Sequence, residues 1–168
     1  MGDELHPQYP LELVSIKDIG ELMELYSMQI GTDGCTWDEG YPSYELARQD
    51  IADKRVFCVR EENGKMIATI AWDRDEKVAA LSCWDATLHK TAEYARVCVH
   101  PEYQHKGLTV SLILGSEERL RKEGYDGAHY IVSKTNHRAL QAYRKFEYTC
   151  KGEIKLFEHE WYAYEKKL

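Results

Sequence analysis

The stretch Val97-Cys98-Val99-His100-Pro101-Glu102-Tyr103-Gln104-His105-Lys106-Gly107-Leu108-Thr109 decides how this chain is read. An apolar strand closes at His100-Pro101, a short turn carries one glycine, and an amphipathic helix begins near Leu108. A junction of this kind binds anions through its backbone. The first N–H groups of a helix have no partner inside it, and the macrodipole adds roughly half a positive charge at that end. A phosphate docks there without a dedicated cationic pocket. Gly107 permits close backbone approach or positive φ, and Lys106 adds local positive charge.

Downstream of the turn, Leu108, Leu112, Ile113, Ser116 and Leu120 form an inward stripe, and Gly124 stands where a C-cap glycine belongs. A short strand over residues 129–132, a helix over about 136–145 and an antiparallel pair, 148–157 with 160–165, follow. Upstream, residues 91–100 alternate as a strand with Glu93, Ala95, Val97 and Val99 on one face. Residues 73–90 show no period and read as a loop or variable insertion. Two β-like runs, 55–60 and 65–72, meet at Glu61-Glu62-Asn63-Gly64, whose Asn-Gly pair signals a hairpin. Glu12-Leu13-Val14 makes a first strand, and Ser15 with Asp18 opens a helix of about four turns carrying Ile16, Ile19, Leu22, Met23, Tyr26 and Ile30. Ser43 caps a second helix through about Asp53. The order β-α-α-β-β-β-α-β-α-β-β is a mixed α/β (α+β) chain, read as one domain over residues 1–168.

Composition narrows the function classes. A net charge of -7 argues against a nucleic-acid partner, which calls for a basic patch. Polar residues interrupt every apolar run well before the ~20 residues of a membrane span. Met1-Gly2-Asp3-Glu4 lacks a basic region and an apolar one, so no secretory signal is expected, and His6 stands where a myristoylation site needs Ser or Thr. Five scattered cysteines, Cys35, Cys58, Cys83, Cys98 and Cys150, read as reduced thiols of a cytoplasmic protein. No zinc-like spacing accompanies His100 and His105, so no metal is expected.

The order Val-x-Val-x-Pro-x-x-Gln-x-x-Gly-x-Thr resembles the acyl-CoA pyrophosphate loop of the GNAT N-acetyltransferase superfamily, with Thr109 where that family has Gly or Ala. A second match, Asn136-His137-Arg138-Ala139-Leu140-Gln141-Ala142-Tyr143-Arg144-Lys145-Phe146-Glu147-Tyr148, is similar to the family's Asn-x-x-Ala-x-x-x-Tyr-x-Lys-x-Gly-Phe helix, with Glu147 where Gly is usual. The resemblance covers roughly residues 12–166 and implies a mostly antiparallel sheet of about seven strands flanked by four helices. It implies acetyl-CoA as co-substrate, held by the backbone of Val97, Cys98 and Val99, by Gln104, His105, Lys106, Gly107, Leu108 and Thr109, and by Asn136, Ala139 and Tyr143. It further implies that Tyr143 is the general acid toward the departing thiolate and that Glu93 is the candidate base. His89, His100 and His129 are rival bases on chemistry alone. Trp37 and Tyr41, in an aromatic-acidic cluster with Asp38 and Glu39, would line the acceptor pocket, where such groups suit a cationic amine.

The resemblance therefore points to direct acetyl transfer onto a primary amine of a small molecule, or onto a peptide or protein N-terminus. A non-catalytic acyl-CoA-binding or partner-binding module on the same fold is the alternative. Polyamines, amino acids, aminoglycoside-like compounds and protein N-termini all remain open as acceptors, and edge-strand homodimers are frequent in the family.

Overall fold

The computed structural model describes residues 7–168, so the features read at Met1-Gly2-Asp3-Glu4 and His6 lie outside it. Strand β1 (Glu12–Leu13) leads through one 3-10 turn into helix α1 (Ile19–Ser27), then α2 (Tyr44–Ala52), β2 (Val56–Arg60) and β3 (Met66–Asp73). A one-turn helix α3 (Glu76–Ala79) precedes β4 (Thr91–Val99), α4 (Leu108–Lys122), β5 (Gly127–Ser133), α5 (His137–Tyr143), β6 (Thr149–Leu156) and β7 (His159–Lys167). The strands form one seven-stranded sheet in the order β1-β2-β3-β4-β5-β7-β6. Every neighbouring pair is antiparallel except β4 with β5. Among the described residues no helix is long and apolar enough to cross a membrane.

Each face of the sheet carries its own core. On one face α4 buries Leu108, Leu112, Ile113 and Leu120 against Phe57, Ile70, Tyr94 and Tyr130. On the other, Leu22, Leu25 and Tyr26 of α1 and Ala47 and Ile51 of α2 cover Val56, Cys58, Ala71 and Cys98. Burial of each leucine, isoleucine, valine or phenylalanine among them contributes about 1.5–3 kcal/mol. The inward stripe of α4 also includes polar members, whose needs are met. Ser116 Oγ accepts from Trp72 Nε1 (3.2 Å), and Glu117 accepts from Tyr148 OH (2.9 Å) and Lys166 Nζ (3.2 Å).

Local sequence signals explain most boundaries. Ser43 Oγ accepts from Leu46 N (3.1 Å) and so caps α2. Gly64 (φ 89) closes the β2–β3 hairpin, and Gly124 (φ 80) ends α4. Three expectations need correction. The first helix is shorter than about four turns: residues Ile16–Asp18 form the 3-10 turn, and Ile16 is exposed rather than inward. Residues 73–90 are more than a loop, because Asp75 Oδ1 accepts from Lys77 N (2.8 Å) and Val78 N (3.0 Å) and caps α3, the fifth helix. Lastly, Glu93 and Val97 do not share a face. The β3–β4 register slips between the pairs Thr69↔Cys98 and Ala71↔Ala95, with Arg96 left-handed at φ 50. Arg96 and Val97 together stand opposite Ile70, a β-bulge that resets the alternation. Tyr94, Val97 and Val99 now pack on the α4 face, while Cys98 belongs to the core under α1 and α2.

Glu147 ends the turn after α5 at φ 59, ψ 28, a conformation that costs a residue with a Cβ about 1–2 kcal/mol. Allowing for the greater unfolded-chain entropy of glycine, Glu147→Gly is expected to stabilise the fold by about 0.5–1 kcal/mol. Urea unfolding of the two proteins measures it, and a loss of stability would show that the Glu side chain makes a compensating contact.

Candidate active site

Strands β4 and β5 pair only through Thr91↔Gly127, Ala92↔Ala128 and Glu93↔His129, and then part. The gap opens into a cavity of about 1020 Å³ that reaches from the loop after α1 to the N-terminus of α4 and to α5. Arg96, at the bulge, fixes the course of β4 beyond the parting. Its side chain is 1% exposed and binds Asp50 Oδ2 at 2.7 Å and Asp73 Oδ2 at 2.8 Å. A third bond runs from Nη1 to the Tyr41 hydroxyl (3.2 Å). Removing one partner of such a buried pair is strongly destabilising, because the remaining charge has no water to turn to. Burial pushes the Asp50 carboxyl up even against Arg96, whereas at Asp73 burial is outweighed by Arg96 and the carboxyl lies below its usual range.

Beyond the bulge, β4 offers main chain to the cavity. His100 N donates to Ile67 O (2.8 Å), so in the antiparallel ladder His100 and Cys98 bond to β3, and Val99 turns both its groups away. The Val99 carbonyl accepts from Gln29 Nε2 (3.2 Å), and its N–H faces the gap.

At the turn, Gly107 adopts φ 77 and caps α4. A Cβ there would meet nothing nearer than Gln8 Oε1 at 3.7 Å, so the backbone conformation, and not space, calls for glycine. His105 is also left-handed, at φ 63. Among the described residues, the successive N–H groups from His105 through Val110 have no acceptor, which makes a row of donors on the helix end. Gln104, His105, Gly107, Leu108 and Thr109 line the cavity, with Thr109 half-buried. Lys106 does not line it; its Nζ lies 5.2 Å over the Tyr103 ring.

Asn136 caps α5, its Oδ1 accepting from Ala139 N (3.1 Å), and both residues face the cavity. Tyr143, two turns along the same helix, lines it too. Its ring is held edge-on by Tyr130, with centroids 4.9 Å apart, and among the described residues its hydroxyl has no hydrogen-bond partner. Burial, with the Cys98 thiol acting in the same sense, pushes that phenol above its usual range. Glu93 lines the cavity at the parting of the strands and is 7% exposed. Burial and the carboxylates of Asp73 and Asp75, opposed by Arg96, push it up to about 8.

Of the rival bases, none lines the cavity. His129 stacks on Trp84 at 4.5 Å, and burial pushes it down to about 4; His100 accepts from Glu102 N (3.1 Å); His89 sits in the loop before β4. Cys98 turns its side chain into the core and its main chain to β3, and does not line the cavity. Trp37 and Tyr41 form one wall, with ring centroids 6.2 Å apart. Among the described residues no cluster of three His, Cys, Asp or Glu side chains could hold a metal.

Three contributors escaped the sequence reading. Gln29 reaches Val99 from the end of α1, Arg96 anchors the bulge, and Gly34 locks the loop over α5. A Cβ on Gly34 (φ +76) would lie 2.5 Å from Asn136 Cα and 2.6 Å from Thr135 O. A charged residue inside the apolar run Tyr94-Ala95-Arg96-Val97-Cys98 was the one local signal for Arg96.

The model of the Acetyltransferase (GNAT) family matches residues 22–148. An acetyltransferase of Pectobacterium atrosepticum is 25% identical over 112 residues, spanning 67% of this chain and 69% of that protein. A GNAT-family acetyltransferase structure from Streptococcus agalactiae superposes with a TM-score of 0.77 at 18% identity, covering 98% of this chain and 99% of that one. A structure from Salmonella typhimurium, described as an acetyltransferase with its cofactor acetyl-CoA, gives a TM-score of 0.72 at 16% identity over 95% of this chain and 94% of that one. Both structures share the fold.

Gly34→Ala is expected to destabilise the protein by about 1–3 kcal/mol, since it adds a clash to a strained φ. Gly20→Ala, in α1 where a Cβ meets nothing within 4 Å, is expected to stabilise it by about 0.5–1 kcal/mol. Equal responses of the two variants in chemical unfolding would exclude the tight loop–helix contact.

Proposed function

Since the chain belongs to the GNAT acetyltransferase family, we propose that it transfers the acetyl group of acetyl-CoA directly to a primary amine of a small molecule. One observation carries this reading: a strand N–H and a tyrosine hydroxyl without partners among the described residues, and a buried carboxylate, share one cavity with a row of helix-end N–H groups. The donors from His105 through Val110 suit a pyrophosphate. The unpaired edge of β4 suits an extended amide-bearing arm, which would add to it as a ligand strand.

The proposed chemistry uses three groups of the protein. Glu93 accepts a proton from the ammonium group, the freed amine nitrogen attacks the thioester carbonyl, and the nitrogen gives its second proton to solvent as the amide forms. The Val99 N–H stabilises the charge that develops on that carbonyl oxygen. As the C–N bond forms and the C–S bond breaks, the bonding pair leaves with sulfur, and Tyr143 protonates it. A phenol held above its usual range stays protonated at neutral pH, as an acid must before it acts. Solvent then returns a proton to Tyr143. Trp37 and Tyr41 are proposed to border the acceptor.

Tyr143→Phe is expected to lower kcat by about 10²-fold with little change in acetyl-CoA affinity. Steady-state thiol release checks the first part. Thermal unfolding checks the second, because acetyl-CoA at 100-fold over Kd should add ~2.7 kcal/mol in both proteins. Unchanged turnover would remove Tyr143 from the acid role. Only the ionised form of Glu93 accepts a proton, so kcat/KM is expected to climb with pH and to level off above about 8. With one acceptor amine, Glu93→Gln should lose the part of that climb set by the enzyme. An identical profile in the variant would assign the base elsewhere.

A further inference from the structure

The transfer proposed above leaves Glu93 protonated, and the site is ready again only when that proton has gone. Product and carrier would fill the cavity side of Glu93. On its other side lies the sheet, where the register runs from Glu93 of β4 to His129 of β5 and on to Glu165 of β7. Ala92, Tyr94, Ala128 and Tyr130 belong to the core under α4, so by alternation Glu93 and His129 share the opposite face, and Glu165 shares it as the cross-strand partner of His129. One loop covers that face. Trp84 stacks on His129, with centroids 4.5 Å apart, and the next residue, Asp85, donates its N–H to Glu165 Oε1 (2.8 Å).

Three titratable side chains thus cross the sheet one strand spacing at a time, about 4.8 Å per step. All three are more than nine-tenths buried. Glu93 accepts the Asp75 N–H and has Asp73 and Arg96 beside it. Among the described residues, both ring nitrogens of His129 and the Glu165 Oε2 atom have no hydrogen-bond partner. Buried polar atoms in that condition are rare and ask for a reason. Stacking on Trp84 is none, since a phenylalanine would stack as well. A neutral imidazole holds one N–H and one lone pair, so it can take a proton on one side while giving one on the other. Burial keeps His129 in that neutral form. The row ends at water: Lys151 of the edge strand β6, with its side chain 29% exposed, brings Nζ to 3.8 Å from Glu165 Oε1, and Cys83 lies close by.

We propose that His129 and Glu165 form the proton exit of Glu93. Glu93 passes its proton to one ring nitrogen, the other ring nitrogen gives its own to Glu165 Oε2, and Glu165 releases it to solvent beside Lys151. Only O–H and N–H bonds change, and the ring regains its first tautomer by turning about Cβ–Cγ. Side-chain rotation closes the steps, as catalytic contacts commonly tighten in the reacting complex. Neither residue lines the cavity, so both act through Glu93, and the inference rests on Glu93 as the base of the transfer proposed above. The test uses His129→Phe, which keeps the stack on Trp84, and Glu165→Gln, which keeps an acceptor for the Asp85 N–H. In each variant kcat for thiol release should fall roughly tenfold, while kcat/KM for the acceptor, fixed before Glu93 is discharged, should stay within about twofold. N-Ethylmorpholine, a buffer base that cannot be acetylated, should restore kcat as its concentration rises at constant pH and ionic strength, and should leave the parent protein unchanged. Unchanged kcat in both variants, a loss that buffer does not relieve, or a fall of kcat and kcat/KM together would overturn the exit. If Glu93→Gln abolishes the enzyme's share of the pH dependence while the two variants behave like the parent, this inference alone falls. If Glu93→Gln changes nothing, the reading it rests on falls with it.

Discussion

A guanidinium buried in a sheet must be matched by carboxylates, and Arg96 sets the terms for much of what surrounds it. Asp50 comes from α2, Asp73 from the end of β3 and the Tyr41 hydroxyl from the loop between α1 and α2, so one side chain ties three separate pieces of chain to β4. The left-handed backbone at Arg96 delivers the guanidinium to that side. It also shifts the pleat, so that Val97 and Val99 face α4 instead of following Glu93. The ion cluster and the bulge are one feature, since neither has a reason to exist without the other. Its net effect on stability is small or unfavourable by general experience with buried pairs. What it supplies is a fixed course for a strand that has lost a neighbour.

That loss is the second consequence. Past Glu93 and His129 the parallel ladder stops, and β4 runs on to Val99 with one edge unpaired. Unpaired main chain in a half-buried cleft is costly unless water or a ligand satisfies it. Gln29 meets part of the need at the Val99 carbonyl. The N–H groups from His105 through Val110 continue the same kind of surface around the turn and onto α4. Backbone donors thus stand at the end of the strand and again at the helix end, and they require almost nothing of side-chain identity. Thr109 at a position usually given to Gly or Ala is compatible with that arrangement, because its N–H is kept.

The parts legible in the sequence were those written in local chemistry. Ser43, Asn63-Gly64, Gly107 and Gly124 each act within a few residues of themselves, and the stripe from Leu108 to Leu120 has a period that no distant contact can disguise. The bulge was hidden because Thr91 to Val99 alternates acceptably by residue type whether or not a residue is inserted. The α3 turn is too short for any period and depends on Asp75 alone. Gly34 matters through Asn136, about a hundred positions away, and Phe157-Glu158 carries none of the residues that announce a tight turn. Within the cavity, the residues drawn from the two family-like motifs come together, apart from Lys106 and Cys98, and the acceptor side is where local reading ran out.

The carboxylates of the cavity also bear on what happens after the bond is made. On the proposed reaction, acylation would turn a cationic nitrogen into a neutral amide, so the carboxylates that line the cavity would lose their hold on it in the same step that completes catalysis. The spent carrier would keep its phosphates, and with them its grip on the helix end. Product departure would thereby acquire an order, amide before thiol, with the cavity's carboxylates retaining substrate and letting go of what it has become.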